Sequence, residues 1–542
     1  MSQTVAGVGR SREVSPFPGE PPQGTAAGNV ADLCQIYADV LGAERVDDRE
    51  GFFAQGGSSL LVEVLLERVA ARLGVHVPVE AFYADPTLAG LRTLVVGPDV
   101  PTGPADLPGL LAAAAEPDPE RPAVVGPDGV LSYAEVVKLV TGAVTADRGA
   151  GELRRLRVAT TVAGARNVLE HLARRAPTLL VDPGATAAEE QRAWQLFAGE
   201  FEAGSGVLGA DAVHGVTTSG STGRPKVVLS PDDGMVVIRR RQAEGLGIRP
   251  GDRYLVTAPL HWGFGLGGGL MTGLLGGATV VLPSLPLTPA GLSATAGQHA
   301  VTVTMGVGTA YRFLLAGGAA LPALRLAVVS GEPLPAALAR QWQERTGVAL
   351  TDGYGTSETG HVSDNVAGVP GSVGRPLSGV EVRVRGDDGV LVETGVGELF
   401  IRSPALANGY AGDPELTAQR FRDGWFRTGD LAEVRADGHL FLRGRLDDQL
   451  NVGGTKVDPR EVETACREAL GLTDCAVIGV PLGPGRTEVC AYVVADRPVT
   501  RADLVRALAD RLSGYKIPTR VVQLAALPRT PNGKLARTEL PQ

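Results

Sequence analysis

The chain has 542 residues, 44% of them hydrophobic and 20% charged, with a formal net charge of −9. That is the make-up of an ordinary globular protein, too long for one core and expected to form two or three domains. The acidic balance offers no global attraction to nucleic acid or to an anionic membrane, and no apolar run has the length of a membrane span or a signal-peptide core, so neither partner is expected and the protein is expected in the cytoplasm.

Residues 1–28 are rich in Ser, Pro, Gly and Glu and bury too little apolar surface to offset the entropy of ordering, which predicts a disordered leader. From Asn29 onward Val30, Leu33, Ile36, Tyr37, Val40 and Leu41 recur at helical spacing. A second amphipathic helix follows Phe52-Phe53-Ala54-Gln55-Gly56-Gly57 and runs to about Leu73. The run Gly56-Gly57-Ser58-Ser59-Leu60 at its start is similar to the attachment motif of acyl and peptidyl carrier proteins. That resemblance implies a 4′-phosphopantetheine arm on Ser59, installed by a phosphopantetheinyl transferase. A phosphodiester there would meet the unpaired N–H groups and the positive dipole of a helix start. The alternative is that Ser58 and Ser59 only cap the helix. Val77 to Tyr83 and Asp85 to Leu88 fit the rest of a carrier domain over 29–96, and residues 97–107 read as a proline-stiffened linker.

The next 300 residues alternate short Val/Leu strands, such as 323–329, with helical segments such as 335–346, which predicts buried parallel strands joined by crossover helices. Near the middle stands Thr217-Thr218-Ser219-Gly220-Ser221-Thr222-Gly223-Arg224-Pro225-Lys226. Glycines allow a tight turn whose N–H groups approach a ligand, and hydroxyls with a lysine add donors, so a polyphosphate is the natural guest. The Walker pattern is excluded, because Pro225 precedes Lys226 and Val227 follows it. By composition alone the run also suits a surface turn.

Further motifs follow in order: Ser330-Gly331-Glu332-Pro333, Asp352-Gly353-Tyr354-Gly355-Thr356-Ser357-Glu358-Thr359, Trp425-Phe426-Arg427-Thr428-Gly429-Asp430, Gly444-Arg445-Leu446-Asp447, Asn451 to Val457, and Pro528 to Leu535. Together with the hydroxyl-rich run they resemble the acyl-adenylate-forming enzymes, which include acyl-CoA synthetases, adenylation domains of nonribosomal peptide synthetases, and luciferases. The resemblance implies an α/β protein: a small helical-bundle carrier domain, an adenylation core over 108–446, and a mobile α+β C-terminal subdomain over 447–542. It implies that Thr218, Ser219, Gly220, Ser221, Thr222, Gly223 and Lys226 hold the phosphates of ATP, and that Gly331, Glu332 and Pro333 border adenine. Tyr354 would lie against adenine, Ser357 on the α-phosphate and Glu358 on Mg²⁺. Asp430 would take the ribose hydroxyls and Arg445 the ribose or a phosphate, with Asp447 as the hinge. Lys534 would be inserted to neutralise charge as pyrophosphate leaves. One departure is that the stretch between the early strand at Leu131 and the phosphate loop is short, so part of the first subdomain is missing and Arg175 to Pro183 holds a remaining strand.

The acid is read from Ala258 to Gly267, which includes His261, Trp262, Gly263 and Phe264. Adenylation domains for α-amino acids place an aspartate near Gly263, and none is present here. Burying an unpaired ammonium costs several kcal/mol, so an α-amino acid is disfavoured. The segment resembles the pocket wall of benzoate-type ligases. Trp262 and Phe264 serve either as flat contacts for an aryl acid or as core, and His261 either gates the site or is simply hydrogen-bonded. The expected function is ATP-dependent activation of a small carboxylic acid, aryl or otherwise non-α-amino, and its transfer to a carrier thiol for downstream synthase domains of a nonribosomal peptide or polyketide pathway. A CoA ligase with a passenger carrier domain and a non-catalytic docking module are the alternatives.

Overall fold

The computed structural model describes residues 26–43, 46, 51–73, 77, 79–84, 86–88, 91, 105–145, 153–202, 213–218, 226–386, 389–446, 450–452, 455–483, 486–529 and 535–541. Among them no helix is long and apolar enough to cross a membrane.

The first helix, Ala26–Leu41, begins inside the stretch expected as leader, because Ala26 and Ala27 favour helix. The helix Ser59–Leu73 buries Val62, Leu65, Leu66 and Val69, the i, i+3, i+4, i+7 stripe of an amphipathic helix, against Leu33, Ile36 and Tyr37. Phe52 closes this small core with its ring edge-on to Tyr37 at 5.2 Å and to Phe82 at 5.7 Å. Gly57 has to be glycine at that point, since a Cβ on it would stand 2.3 Å from the Phe52 ring. The end of the expected linker is helical: Leu107 opens Leu107–Ala115, with Asp106 accepting from Gly109 N at 3.0 Å and Pro108 in the first turn.

A nine-stranded sheet carries the main body, ordered Arg375–Pro376, Gly360–Asp364, Leu350–Thr356, Leu326–Ser330, Val303–Gly306, Arg253–Val256, Thr279–Val281, Pro122–Gly126 and Gly129–Ser132. Its central strands are parallel and buried on both faces, as their unbroken Val/Leu/Ala runs require. The strand expected from residue 323 begins only at Leu326, because Leu324 closes a turn onto Leu321 and the Arg325 side chain is held by Asp252. A five-stranded sheet runs Gly409–Tyr410, Lys226–Pro231, Val213–Thr218, Thr178–Val181 and Arg154–Arg157; Thr178–Val181 is the strand expected between Arg175 and Pro183. One apolar core joins the two sheets, with Leu180, Val216 and Val228 from the smaller meeting Tyr254, Val280 and Val303 of the larger.

A six-stranded antiparallel sheet spans 381–445, and the C-terminal part pairs Asp474–Gly483, Arg486–Val494 and Arg520–Gln523 beneath the helices Pro459–Leu470 and Arg501–Leu508. Cys466, Cys475 and Cys490 are free and buried in it.

Phe52→Ala should cost about 3–5 kcal/mol. In calorimetry of the full chain, the transition of the 26–91 unit should fall to lower temperature while the others keep theirs.

Candidate active site

The chain leaves Arg253–Val256, adds Thr279–Val281 on one side of it, and then returns to add Val303–Gly306 on the other. Such a reversal of strand order opens a crevice outside the carboxyl ends of the strands. Into it run Thr257 to Gly263 and then a π-helix, Phe264–Met271, the rare wide helix that tends to occur at functional sites. No hydrophobic periodicity marks it in the sequence. Gly265 lets this turn press on the chain behind it, since a Cβ there would stand 2.0 Å from Pro259 O. Gly263 faces open space: a Cβ would meet nothing within 4 Å.

His261 is buried and T-shaped to Trp262 at 5.7 Å. Its Nδ1 is 3.4 Å from Val158 O and its Nε2 3.5 Å from Asp182 Oδ2. Burial pulls its pKa below the usual histidine range against the opposing pull of Asp182, so the ring is neutral at neutral pH. Trp262, Gly263 and Phe264 are half-buried, and Phe264 packs against the core. Tyr311, from the neighbouring segment, is wholly core, edge-on to Trp342 at 4.9 Å.

The next strand, Leu350–Thr356, carries the polar cluster. The Tyr354 hydroxyl donates to Asp430 Oδ2 at 2.5 Å, and Arg445 Nη1 donates to Asp430 Oδ1 at 3.2 Å. Asp430 and Arg445 are register partners on antiparallel strands, which fixes their pairing. Burial raises the pKa of Asp430, opposed by Arg445 and by the Tyr354 hydroxyl. Burial and the adjacent carboxylate push Tyr354 well above the usual phenol range, so it stays a donor. Asp352, two residues earlier on the strand, is pushed up to about 7 by burial, with Asp364 nearby adding to the shift.

Glu358 follows the strand, with half-buried Ser357 beside it. Tyr410 donates to Glu358 Oε1 at 2.8 Å, and its ring lies 5.1 Å from the Lys226 ammonium. Sequence reasoning missed Tyr410, 52 residues from Glu358. Thr218 and Lys226 pair across the base of the hydroxyl-rich loop, which is therefore a hairpin loop. Ser219, Gly220, Ser221, Thr222 and Gly223 lie outside the described residues.

No group of three or more His, Cys, Asp or Glu that could hold a metal occurs among the described residues. Glu358 keeps Oε2 free of hydrogen bonds to them. A single hard carboxylate fits Mg²⁺, which is commonly held by one or two carboxylates plus substrate phosphates.

Gly331, at φ 90°, turns the chain sharply out of Leu326–Ser330. Glu332 then lies 3.8 Å from Arg312 and 3.7 Å from Arg529. Exposed Pro333 continues the turn. Arg529 also pairs with Asp474 at 2.5 Å and bridges to Leu535, so the two residues flanking 530–534 are held together. Lys534 and Asp447 lie outside the described residues.

On the first unit, Ser58 Oγ accepts from Leu61 N at 3.4 Å and so takes the capping position. Ser59 is exposed, opens the helix, and has no hydrogen bond from its hydroxyl among the described residues. A phosphodiester therefore fits on Ser59 without displacing a cap.

Asp352 carries a pH prediction. Its folded pKa of about 7 lies above the ordinary 3.8, so the folded state holds the extra proton and stability falls as pH rises from about 4 through 7. The full effect is on the order of 4 kcal/mol at most. Asp352→Asn should flatten the decline in melting temperature between pH 5 and 7.5; parallel declines in both proteins would refute the assignment.

A family model for AMP-binding enzymes matches residues 153–411, one for their C-terminal domain matches 461–534, and one for phosphopantetheine attachment sites matches 31–95. The chain is 36% identical over 344 residues to a 3-hydroxybenzoate–CoA ligase of Aromatoleum, covering 61% of this chain and 66% of that protein. It is 36% identical over 340 residues to a feruloyl-CoA synthase of Amycolatopsis, covering 60% of this chain and 68% of that one. ATP-bound MatB of Rhodopseudomonas palustris superposes with a TM-score of 0.69 at 26% identity, covering 80% of this chain and 97% of MatB. The chain therefore belongs to the AMP-binding, or acyl-adenylate-forming, enzymes and carries a phosphopantetheine-attachment domain ahead of its adenylation region.

Proposed function

We propose that the protein joins a small aryl or other non-α-amino acid to ATP and passes the acyl group to the phosphopantetheine thiol of a carrier domain. The observation that carries this reading is the meeting, where three sheets adjoin, of Asp430 held by Tyr354 and Arg445 with Glu358 held by Tyr410 beside Lys226. In the first step a carboxylate oxygen of the acid attacks the α-phosphorus, the bond to the β-phosphate breaks, and pyrophosphate leaves. Lys226 and the hairpin loop hold the phosphates, Ser357 contacts the α-phosphate, and Asp430 accepts from the ribose hydroxyls, a charge-assisted arrangement. Gly331 to Pro333 border adenine. Glu358 holds Mg²⁺, which neutralises phosphate charge when bound.

Lys534 then stabilises the charge that builds as pyrophosphate departs, and the anchoring of Arg529 beside Glu332 supports its access. Rotation about Asp447 changes the face that the C-terminal part presents, and a thiol attacks the acyl carbon with loss of AMP. The arm on Ser59 supplies that thiol when bound. The open space at Gly263 supports an acid without an α-ammonium, and relatives named for hydroxybenzoate and ferulate support an aryl acid. A carrier domain fused to an adenylating region supports a cytoplasmic role in supplying downstream synthase domains of a natural-product pathway.

The decisive experiment is the intact mass of the phosphopantetheinylated protein after Mg·ATP and a library of aryl, aliphatic and amino acids. One discrete acyl gain is expected, absent in Ser59→Ala. Lys534→Ala should slow it by about 10²–10³. Thioester on free CoA but never on Ser59 would move the assignment to a CoA ligase. Tyr410→Phe, which releases Glu358, should weaken calorimetric binding of Mg·ATP about tenfold and leave metal-free ATP unchanged.

A further inference from the structure

Beside the wall proposed for the acid lies a buried cation with no counter-ion in contact among the described residues. Arg239, on the helix Asp232–Gly245, is only 6% exposed. Its Nη1 donates to Gln242 Oε1 at 2.8 Å, and this is its one hydrogen bond among the described residues. Gln242 accepts from Thr272 Oγ1 at 3.0 Å and reaches Asp364 Oδ2 at 3.4 Å, while the other oxygen of Asp364 faces His361 Nε2 at 2.8 Å. The carboxylate is thus linked to the guanidinium only through an amide. Charge kept out of water without a direct partner is costly, and a fold retains it where something else completes the pairing. Burial lowers the pKa of Arg239 to about 10, which leaves it protonated at neutral pH.

The guanidinium lies against the π-helix. A Cβ on Gly267 would stand 2.5 Å from Nε and 2.8 Å from Nη2, and one on Gly268 would stand 3.3 Å from Nη1. Glycines at both places let the cation approach this wall. Gly263, where the wall faces open space, is four residues earlier, close to one turn of so wide a helix, so Gly263 and Gly267 share a face. Nε and Nη2 make no hydrogen bond among the described residues, so two sides of the guanidinium keep donors for a ligand.

We propose that Arg239 is a specificity-determining residue of the acid site, and that the acid carries, remote from the carboxylate being activated, an oxygen substituent that accepts hydrogen bonds from Nε and Nη2. A ring hydroxyl and a second carboxylate share this chemistry. The proposal rests on the assignment of the His261–Phe264 wall to the acid. Discrimination follows because an unsubstituted ring leaves a desolvated guanidinium unpaired, whereas an acceptor oxygen completes it.

The test is ATP–pyrophosphate exchange with benzoate, 3- and 4-hydroxybenzoate, and the corresponding benzene dicarboxylates, using the full chain and its Arg239→Met, Arg239→Lys and Gly267→Ala variants. The wild type should prefer one substituted class by about 10–100-fold in kcat/KM. Arg239→Met should lose that preference with KM for ATP unchanged, and Arg239→Lys should recover part of it. Gly267→Ala, whose methyl displaces the guanidinium, should imitate Arg239→Met without touching the arginine. A wild type that prefers benzoate, or an Arg239→Met variant that keeps the preference or slows every acid alike, would overturn the proposal. Exchange with no acid would instead remove the adenylation reading. Melting-temperature shifts with AMP then decide the pocket: a rise with a substituted acid in wild type but not in Arg239→Met upholds it, and no such difference overturns it.

Discussion

A carboxylate that is nearly sealed from water sets the terms for the polar cluster beside Leu350–Thr356. Asp430 is 7% exposed, and what makes its burial tolerable is the pair of donors on its two oxygens, Tyr354 and Arg445. Those donors come from different sheets. Tyr354 belongs to the large parallel sheet, whereas Arg445 is the register partner of Asp430 in the antiparallel one. Removing one partner of a buried charge costs more than the pair itself contributes. The two sheets are therefore held in one arrangement by the same contacts that satisfy the buried carboxylate.

The second constraint is space. At Gly263, Gly265, Gly267 and Gly268 the wall of the crevice has no side chains, and for three of these a Cβ would run into neighbouring atoms. The π-helix brings backbone close to Pro259 on one side and to Arg239 on the other, while leaving Gly263 facing open space. A wall so bare lets Arg239 approach the crevice that the proposed acid would occupy. Close packing everywhere else, with Tyr254, Met305 and Leu270 fully buried, keeps that side chain from relaxing away.

Contacts that join the C-terminal part to the main body are of another kind. Arg529 lies 3.7 Å from Glu332 and is partly exposed, and it shares itself with Asp474 at 2.5 Å. A long, solvated ion pair contributes little and breaks at little cost. Rotation of that part during the proposed reaction thus requires no rupture of buried pairing at this contact, in contrast to the cluster around Asp430.

The sequence by itself determined the local features. The stripe Val62, Leu65, Leu66 and Val69 specified the helix after Ser59, the Val-rich runs specified buried parallel strands, and the lack of an acid at Gly263 bore on the substrate class. These follow from periodicity and side-chain type, which act over a few residues. The folded structure decided which of two adjacent serines caps the helix, and that Phe264 packs on the core. It also decided that Tyr410 restrains Glu358, that Asp352 is buried enough to hold a proton near neutrality, and that Arg239 meets the π-helix. The last three depend on residues 28 to 52 positions apart or on burial by several elements at once, and neither leaves a trace in local spacing: a tyrosine on a two-residue strand or an arginine among three on a helix looks like any other until the chain closes around it.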